Sequence, residues 1–212
     1  MKLTLALVII NIVIFLLSLI PGLDYSIVEF GFKPSSFLEG KVHTIVTSMF
    51  IHASLEHIFF NMIALFLLGT SLEKKVNKGK YLLVYFLGGI IGNLLMLIPF
   101  LYSPDTIGVG ASGAISALVG LGTFVCPGKL VIFPSIIPLP FVAAGVLYFL
   151  STTMNLFVPT DIQIAYEVHM MGIIVGSVFG LFWSENRKKS ILIFIVTLIV
   201  ILSLPYILEL IF

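Results

Sequence analysis

Seven apolar stretches, at 3–20, 53–72, 80–101, 112–126, 136–157, 163–183 and 190–211, take up most of this 212-residue chain. A segment that crosses a bilayer as a helix needs about 20 predominantly apolar residues, and these stretches are close to that length. Charged residues make up only 10% of the chain and hydrophobic ones 59%, where a soluble domain carries about 25% charge. A chain with so little polar surface cannot cover itself in water, so lipid is its solvent. The expected fold class is an all-α membrane protein, a polytopic helical bundle. A formal net charge of +1 gives no reason to expect a nucleic-acid partner, and a single cysteine, Cys126, excludes an intramolecular disulfide.

The first stretch follows Lys2 as a signal peptide would, but it runs into Ile20-Pro21-Gly22 with no small-x-small cleavage site and reads as a span. The longest connection, 21–52, contains Phe, Pro and Gly and is expected to be partly structured at the interface. If the chain alternates through the seven spans, nine of its eleven basic residues fall on one side: Lys2, Lys74, Lys75, Lys78, Lys80, Lys129, Arg187, Lys188 and Lys189. Only Lys33 and Lys41 fall on the other. The positive-inside rule then puts the N-terminus and the turns at 73–80, 127–135 and 184–189 in the cytoplasm. The expected location is a prokaryotic cell membrane.

Polar groups inside spans are costly and suggest function. His52, His57 and Asn61 lie at the outer end of the second span, His169 near the outer end of the sixth, and Ser112 at the outer start of the fourth. The topology therefore gathers five polar residues from separate parts of the sequence into one leaflet half. His57 and Asn61, four apart, share a helix face. From Ser112 to Pro127 is roughly 22 Å of helix against a hydrocarbon core of about 30 Å, which sinks Ser112 on the order of 8 Å below the outer surface. The glycine-rich backbone before it, Gly108-Val109-Gly110-Ala111-Ser112-Gly113, would then be irregular at membrane depth. Such backbone is tolerated only against protein or a hydrated cavity.

A serine at a helix N-terminus sits beside unpaired backbone N–H groups and the positive end of the dipole, which stabilise charge developing on a nearby oxygen. Histidine is the usual base that activates a serine, so Ser112 and His169 form a candidate nucleophile–base pair. His57 and Asn61 are further donors. Small residues at four-residue spacing, Ser112, Ser116 and Gly120 on the fourth span and Gly172, Gly176 and Gly180 below His169 on the sixth, would let the two backbones approach closely. If those faces meet, Ser112 and His169 share one height. Blander readings stand beside this one: Ser112 as a helix cap, the histidines and Asn61 as interhelical glue, and His52 as structural because five residues separate it from His57. A metal site fits poorly, since His-x4-His lacks the four-residue helical spacing and no acidic residue or cysteine shares its face.

Together these residues resemble the rhomboid family of intramembrane serine proteases. Gly110-Ala111-Ser112-Gly113 matches the family's GxSG, His52 to His57 to Asn61 its HxxxxHxxxN, and His169 with Gly172 and Gly176 its sixth-helix stripe. Glu73-Lys74-Lys75 sits where the family often has an acidic-basic turn. The resemblance covers about residues 1–185 and implies a six-helix protease core, with 186–212 an extra C-terminal transmembrane helix. It further implies a Ser112–His169 dyad, with an oxyanion hole formed by the Ser112 N–H, His57 and Asn61. His52, Gly110, Gly113, Gly172 and Gly176 would be structural near the site. No cofactor and no metal are implied. The partners would be transmembrane protein substrates and membrane lipid. Two positions depart from the family pattern: Ser116 stands where an aromatic residue commonly supports the histidine, and His43 and Thr44 stand where a Trp-Arg pair is frequent. The other readings of the same residues are a rhomboid-like pseudoenzyme that binds or escorts membrane clients, and a small transporter using the His/Asn cluster.

Overall fold

A computed structural model describes residues 2–133, 137–157 and 165–211. The fold is largely helical. The elements are α1 (Lys2–Ser18), α2 (Leu23–Phe30), α3 (Pro34–Leu38), α4 (Thr44–Thr47), a 3₁₀ turn (Ser48–Phe50), α5 (Leu55–Leu72), α6 (Lys78–Leu95), α7 (Ser112–Val125), α8 (Phe141–Phe157), α9 (Tyr166–Trp183) and α10 (Arg187–Ile211). Among the described residues α5 and α9 are each long and apolar enough to cross a membrane unaided. The helices α1 and α2 form one apolar unit bent by 117° at Pro21-Gly22, where Gly22 takes φ +103°.

Helix boundaries follow local chemistry. Ser54 caps α5 by accepting the His57 backbone N–H at 3.1 Å, and Asn77 caps α6 by accepting that of Lys80 at 2.8 Å. The third apolar stretch was expected to stay helical to residue 101, but α6 stops at Leu95, short of Pro99, which cannot continue a helix and disfavours helical backbone in the residue before it. The fifth was expected from residue 136, whereas α8 starts only at Phe141, after Pro138 and Pro140. A two-residue antiparallel pairing of Leu130–Val131 (β1) with Leu139–Pro140 (β2) precedes it. The expected start of the sixth span, residue 163, lies outside the described residues. The 21–52 connection holds α2, α3, α4 and the 3₁₀ turn, so it is ordered through most of its length.

The centre of the bundle is α7, in which every residue from Gly113 to Phe124 is buried. Its fourteen residues make only about 21 Å of helix, less than a hydrocarbon core. It packs against α5, α6, α8 and α9, most extensively against α9. Side-chain-free surfaces make these approaches possible. A Cβ at Gly176 would meet the Ala117 backbone, one at Gly120 the Ile173 carbonyl, and one at Gly88 the Ala117 methyl. Large apolar side chains such as Ile9, Leu16, Phe59, Phe66, Leu192 and Phe194 face outward from α1, α5 and α10, as a lipid-facing perimeter requires.

Candidate active site

The glycine-rich backbone ahead of α7 is shaped by Gly110. It adopts φ +111°, a region that L side chains avoid, and a Cβ there would lie 2.7 Å from the His57 ring. Its N–H donates to the Ser48 carbonyl at 2.9 Å. The chain then enters α7 at Ser112 with Ala111 as the N-cap, and no side chain caps this end. Ile115 is the first residue of the helix whose N–H donates four residues back, to Ala111, so the N–H groups of residues 112–114 precede the helical ladder. The Ser112 hydroxyl makes a different contact: its Oγ lies 2.8 Å from His169 Nε2. The helix-cap reading of Ser112 does not describe this geometry.

Close packing of α7 on α9 produces the encounter. A Cβ at Gly172 would strike the Gly113 carbonyl oxygen and come within 3.0 Å of Ser116 Cβ, and at Gly176 one would come within 2.6 Å of the Ala117 carbonyl carbon. The two small-residue faces therefore touch backbone to backbone, and His169, one turn before Gly172, reaches Ser112 across them. The edge of the Tyr166 ring faces the His169 ring at 6.3 Å between centroids.

The flank of the site comes from α5 and the turn before it. His57 Nδ1 accepts the Ala53 N–H at 3.3 Å, which leaves the ring proton on Nε2, against Gly110. Asn61 is buried and its amide donates to the His57 carbonyl at 2.8 Å, so one of its two N–H groups is used within its own helix. The five-residue separation of His52 from His57 would turn the two apart on a continuous helix, but they meet. The helix begins only at Leu55, so a helical offset does not apply to His52, and the two rings meet edge to face at 5.1 Å. His52 is fully buried, with Nδ1 3.3 Å from the Phe50 carbonyl and Nε2 unpartnered. No group of three or more His, Cys, Asp or Glu with metal-ligand geometry occurs among the described residues.

Several neighbours were not legible beforehand. Ser116 Oγ donates to the Ser112 carbonyl at 2.8 Å and also lies 2.9 Å from Tyr148 Oη on α8. Its single proton is committed to Ser112, so Tyr148 is the donor. Asn93 on α6 donates to the Ile45 carbonyl and the Ser48 hydroxyl at 2.8 and 2.9 Å, holding the turn that receives Gly110. Tyr102 donates to Glu167 at 2.6 Å, which commits the acid nearest in sequence to His169 away from its ring. Buried tyrosine hydroxyls and amides seek partners, but sequence spacing does not reveal which ones.

A profile of the Rhomboid domain matches residues 39–186 of the chain. The chain belongs to the rhomboid family. It is 28% identical over 199 residues to RHOMBOID-like protein 12, mitochondrial, of Arabidopsis thaliana, which covers 87% of this chain and 58% of that protein. It is similar to two proteins of Bacillus subtilis. With Rhomboid protease GluP it shares 34% identity over 96 residues, 45% of this chain and 18% of that one, and with Putative rhomboid protease YdcA 38% over 86 residues, 40% and 42% respectively. The chain thus spans less than two thirds of the length of each of these relatives. Rhomboid membership implies a lipid environment. The matched region contains Ser112, His169, His57 and Asn61.

Proposed function

We propose that this rhomboid protein is an intramembrane serine endopeptidase that cleaves transmembrane segments of other proteins, with Ser112 as nucleophile and His169 as general base. The single observation that supports this most is the 2.8 Å approach of Ser112 Oγ to His169 Nε2 at the start of a buried helix. With its proton on Nδ1, His169 accepts the Ser112 hydroxyl proton at Nε2 as the oxygen attacks a substrate carbonyl. The negative charge that develops on the carbonyl oxygen is met by the Ser112 N–H, by His57 Nε2–H and by the second N–H of Asn61. The Ser112 N–H and the His57 ring, which lies against Gly110, are near the positive end of α7. His169 then returns the proton to the leaving amine, and water, activated by the same imidazole, releases the acyl group. No third acid is needed to run this cycle.

The domain reading that goes with this mechanism is a six-helix core over residues 1–185 and an additional transmembrane helix over 186–212, spanning the membrane seven times. With the N-terminus cytoplasmic, the Ser112 end of α7 opens to the outside, where water for deacylation is available. The close packing of α9 on the buried α7 around one serine favours catalysis over client escort or ion transport, neither of which needs a serine hydroxyl on an imidazole.

The test is labelling of purified protein with a fluorophosphonate probe, together with cleavage of a transmembrane reporter. Labelling confined to Ser112, with cleavage lost in Ser112→Ala and His169→Ala, is the expected result. Cleavage that persists in Ser112→Ala defeats the proposal.

A further inference from the structure

The helix that carries His169 begins without a local cap: Ala165, the residue in the N-cap position, has no side chain able to accept a hydrogen bond, and none caps it. Its first intrahelical bond is the His169 N–H to the Ala165 carbonyl at 3.2 Å. Ends of this kind fray, yet the placement of an imidazole within hydrogen-bond reach of a serine demands that this turn stay fixed. Order must come from tertiary contacts, and three consecutive residues supply them. Successive side chains on a helix point about 100° apart, so each meets a different part of the molecule.

His169 faces Ser112 on α7. Val168 is wedged between α6 and α7, where a Cβ at Gly92 would fall 2.7 Å from its Cγ1 and one at Gly113 would fall 3.2 Å from it. Glu167 accepts the Tyr102 hydroxyl at 2.6 Å. The Val168 contact is apolar and non-directional, and it resists separation of the helices better than it resists rotation. The Tyr102–Glu167 bond is short, directional and charge-assisted, and it acts at the rim of the turn, where leverage on rotation is greatest.

Tyr102 is itself firmly seated. It packs against the small apolar cluster formed by Phe32, Met96 and Val168. Its loop is tied to the α2–α4 region by the reciprocal Phe32–Gly108 bonds at 2.9 and 2.8 Å, by Ser35 N–H to the Pro104 carbonyl at 2.9 Å, and by the Lys33–Asp105 ion pair at 2.8 Å. Burial and the adjacent Glu167 carboxylate push the Tyr102 hydroxyl well above its ordinary range, so it remains a donor at any working pH.

We infer that Tyr102 is a positioning residue for His169: by gripping Glu167 it fixes the rotation and height of the first turn of α9 and so holds the imidazole on Ser112. The inference rests on the reading of His169 as the base. Tyr102→Phe keeps the ring and its packing and removes only the hydroxyl. The expected result is a fall of about tenfold in kcat, the scale of a sub-ångström displacement of a reacting group, with KM within twofold of wild type. Glu167→Ala shows the same fall, Glu167→Gln, which keeps an acceptor, recovers most of the rate, and the double variant Tyr102→Phe/Glu167→Ala is no slower than either single one. Amide hydrogen exchange at His169, Met170 and Met171 accelerates in Tyr102→Phe while exchange along α7 is unchanged.

Wild-type kcat in Tyr102→Phe, or losses that multiply in the double variant, overturns the inference. Failure of the protease reading itself looks different. Wild-type protein then does not label at Ser112, and the exchange measurement alone decides: unchanged exchange at residues 169–171 in Tyr102→Phe rejects the grip, and acceleration there supports it.

Discussion

The approach of α7 to α9 can be tested by adding a single methyl group at Gly176. A Cβ at this position would overlap the Ala117 carbonyl oxygen and come within 2.6 Å of its carbon and 2.9 Å of its Cα. Ordinary contact between carbon atoms is about 3.5–4.0 Å, so the helices must part by about 1 Å. Backbone atoms are what it meets, and rotamer changes cannot relieve the clash. Carried about two turns up the helix to His169, a 1 Å separation stretches the 2.8 Å Ser112–His169 contact to about 3.8 Å, beyond hydrogen-bond range. A misplacement of this size costs on the order of 10²-fold in rate. Gly128→Ala serves as the control, because nothing lies within 4 Å of its Cβ position and its φ is not positive. Initial rates of reporter cleavage and of fluorophosphonate labelling, measured on folded protein in the same detergent, give the comparison. Gly176→Ala working within twofold of wild type, with its helices intact by circular dichroism, would refute the claim that close backbone contact sets the pair.

Four further outcomes are expected. His57→Ala and Asn61→Ala each slow cleavage by about 10²–10³-fold at near-native thermal stability, and an unchanged rate in both removes them from the oxyanion assignment. Gly172→Leu, which directs a longer side chain at the Gly113 carbonyl and Ser116, abolishes cleavage; wild-type activity contradicts the packing. Tyr148→Phe deletes the donor to Ser116 and lowers stability by about 1 kcal/mol, read as a lower Tm; an unchanged Tm contradicts the bond. Asp105 is held below the ordinary carboxylate range by its hydrogen bonds to Lys33 and Ser35 and by the Lys33 charge. A depressed folded-state pKa contributes while the carboxyl is ionised, so the 103–108 loop keeps its exchange protection from neutral pH down to about 4 and loses it only below the unfolded value near 3.9. Loss of protection already at pH 6 contradicts this pairing.

Hydropathy and residue spacing alone determined the helical membrane class and the approximate extent of the apolar stretches, and they pointed to Ser112 and His169 as neighbours, which lie 2.8 Å apart. These follow from local rules, since apolar length sets a span and four-residue periodicity sets a face. Helix ends were less legible where caps and prolines compete with apolarity, as at Leu95 and Phe141. The direction of the His52 ring was not legible, because the residue precedes the helix and a helical offset does not apply to it. Only the tertiary structure decided that the Ser116 hydroxyl meets Tyr148, that Asn61 already spends one N–H on His57, and that Glu167 turns to Tyr102. Each of these partners lies on another element or in the helix's own backbone, and a buried polar group takes whichever partner packing brings within about 3 Å. Sequence fixes which groups need a bond, whereas the meeting of helices determines which bond they find.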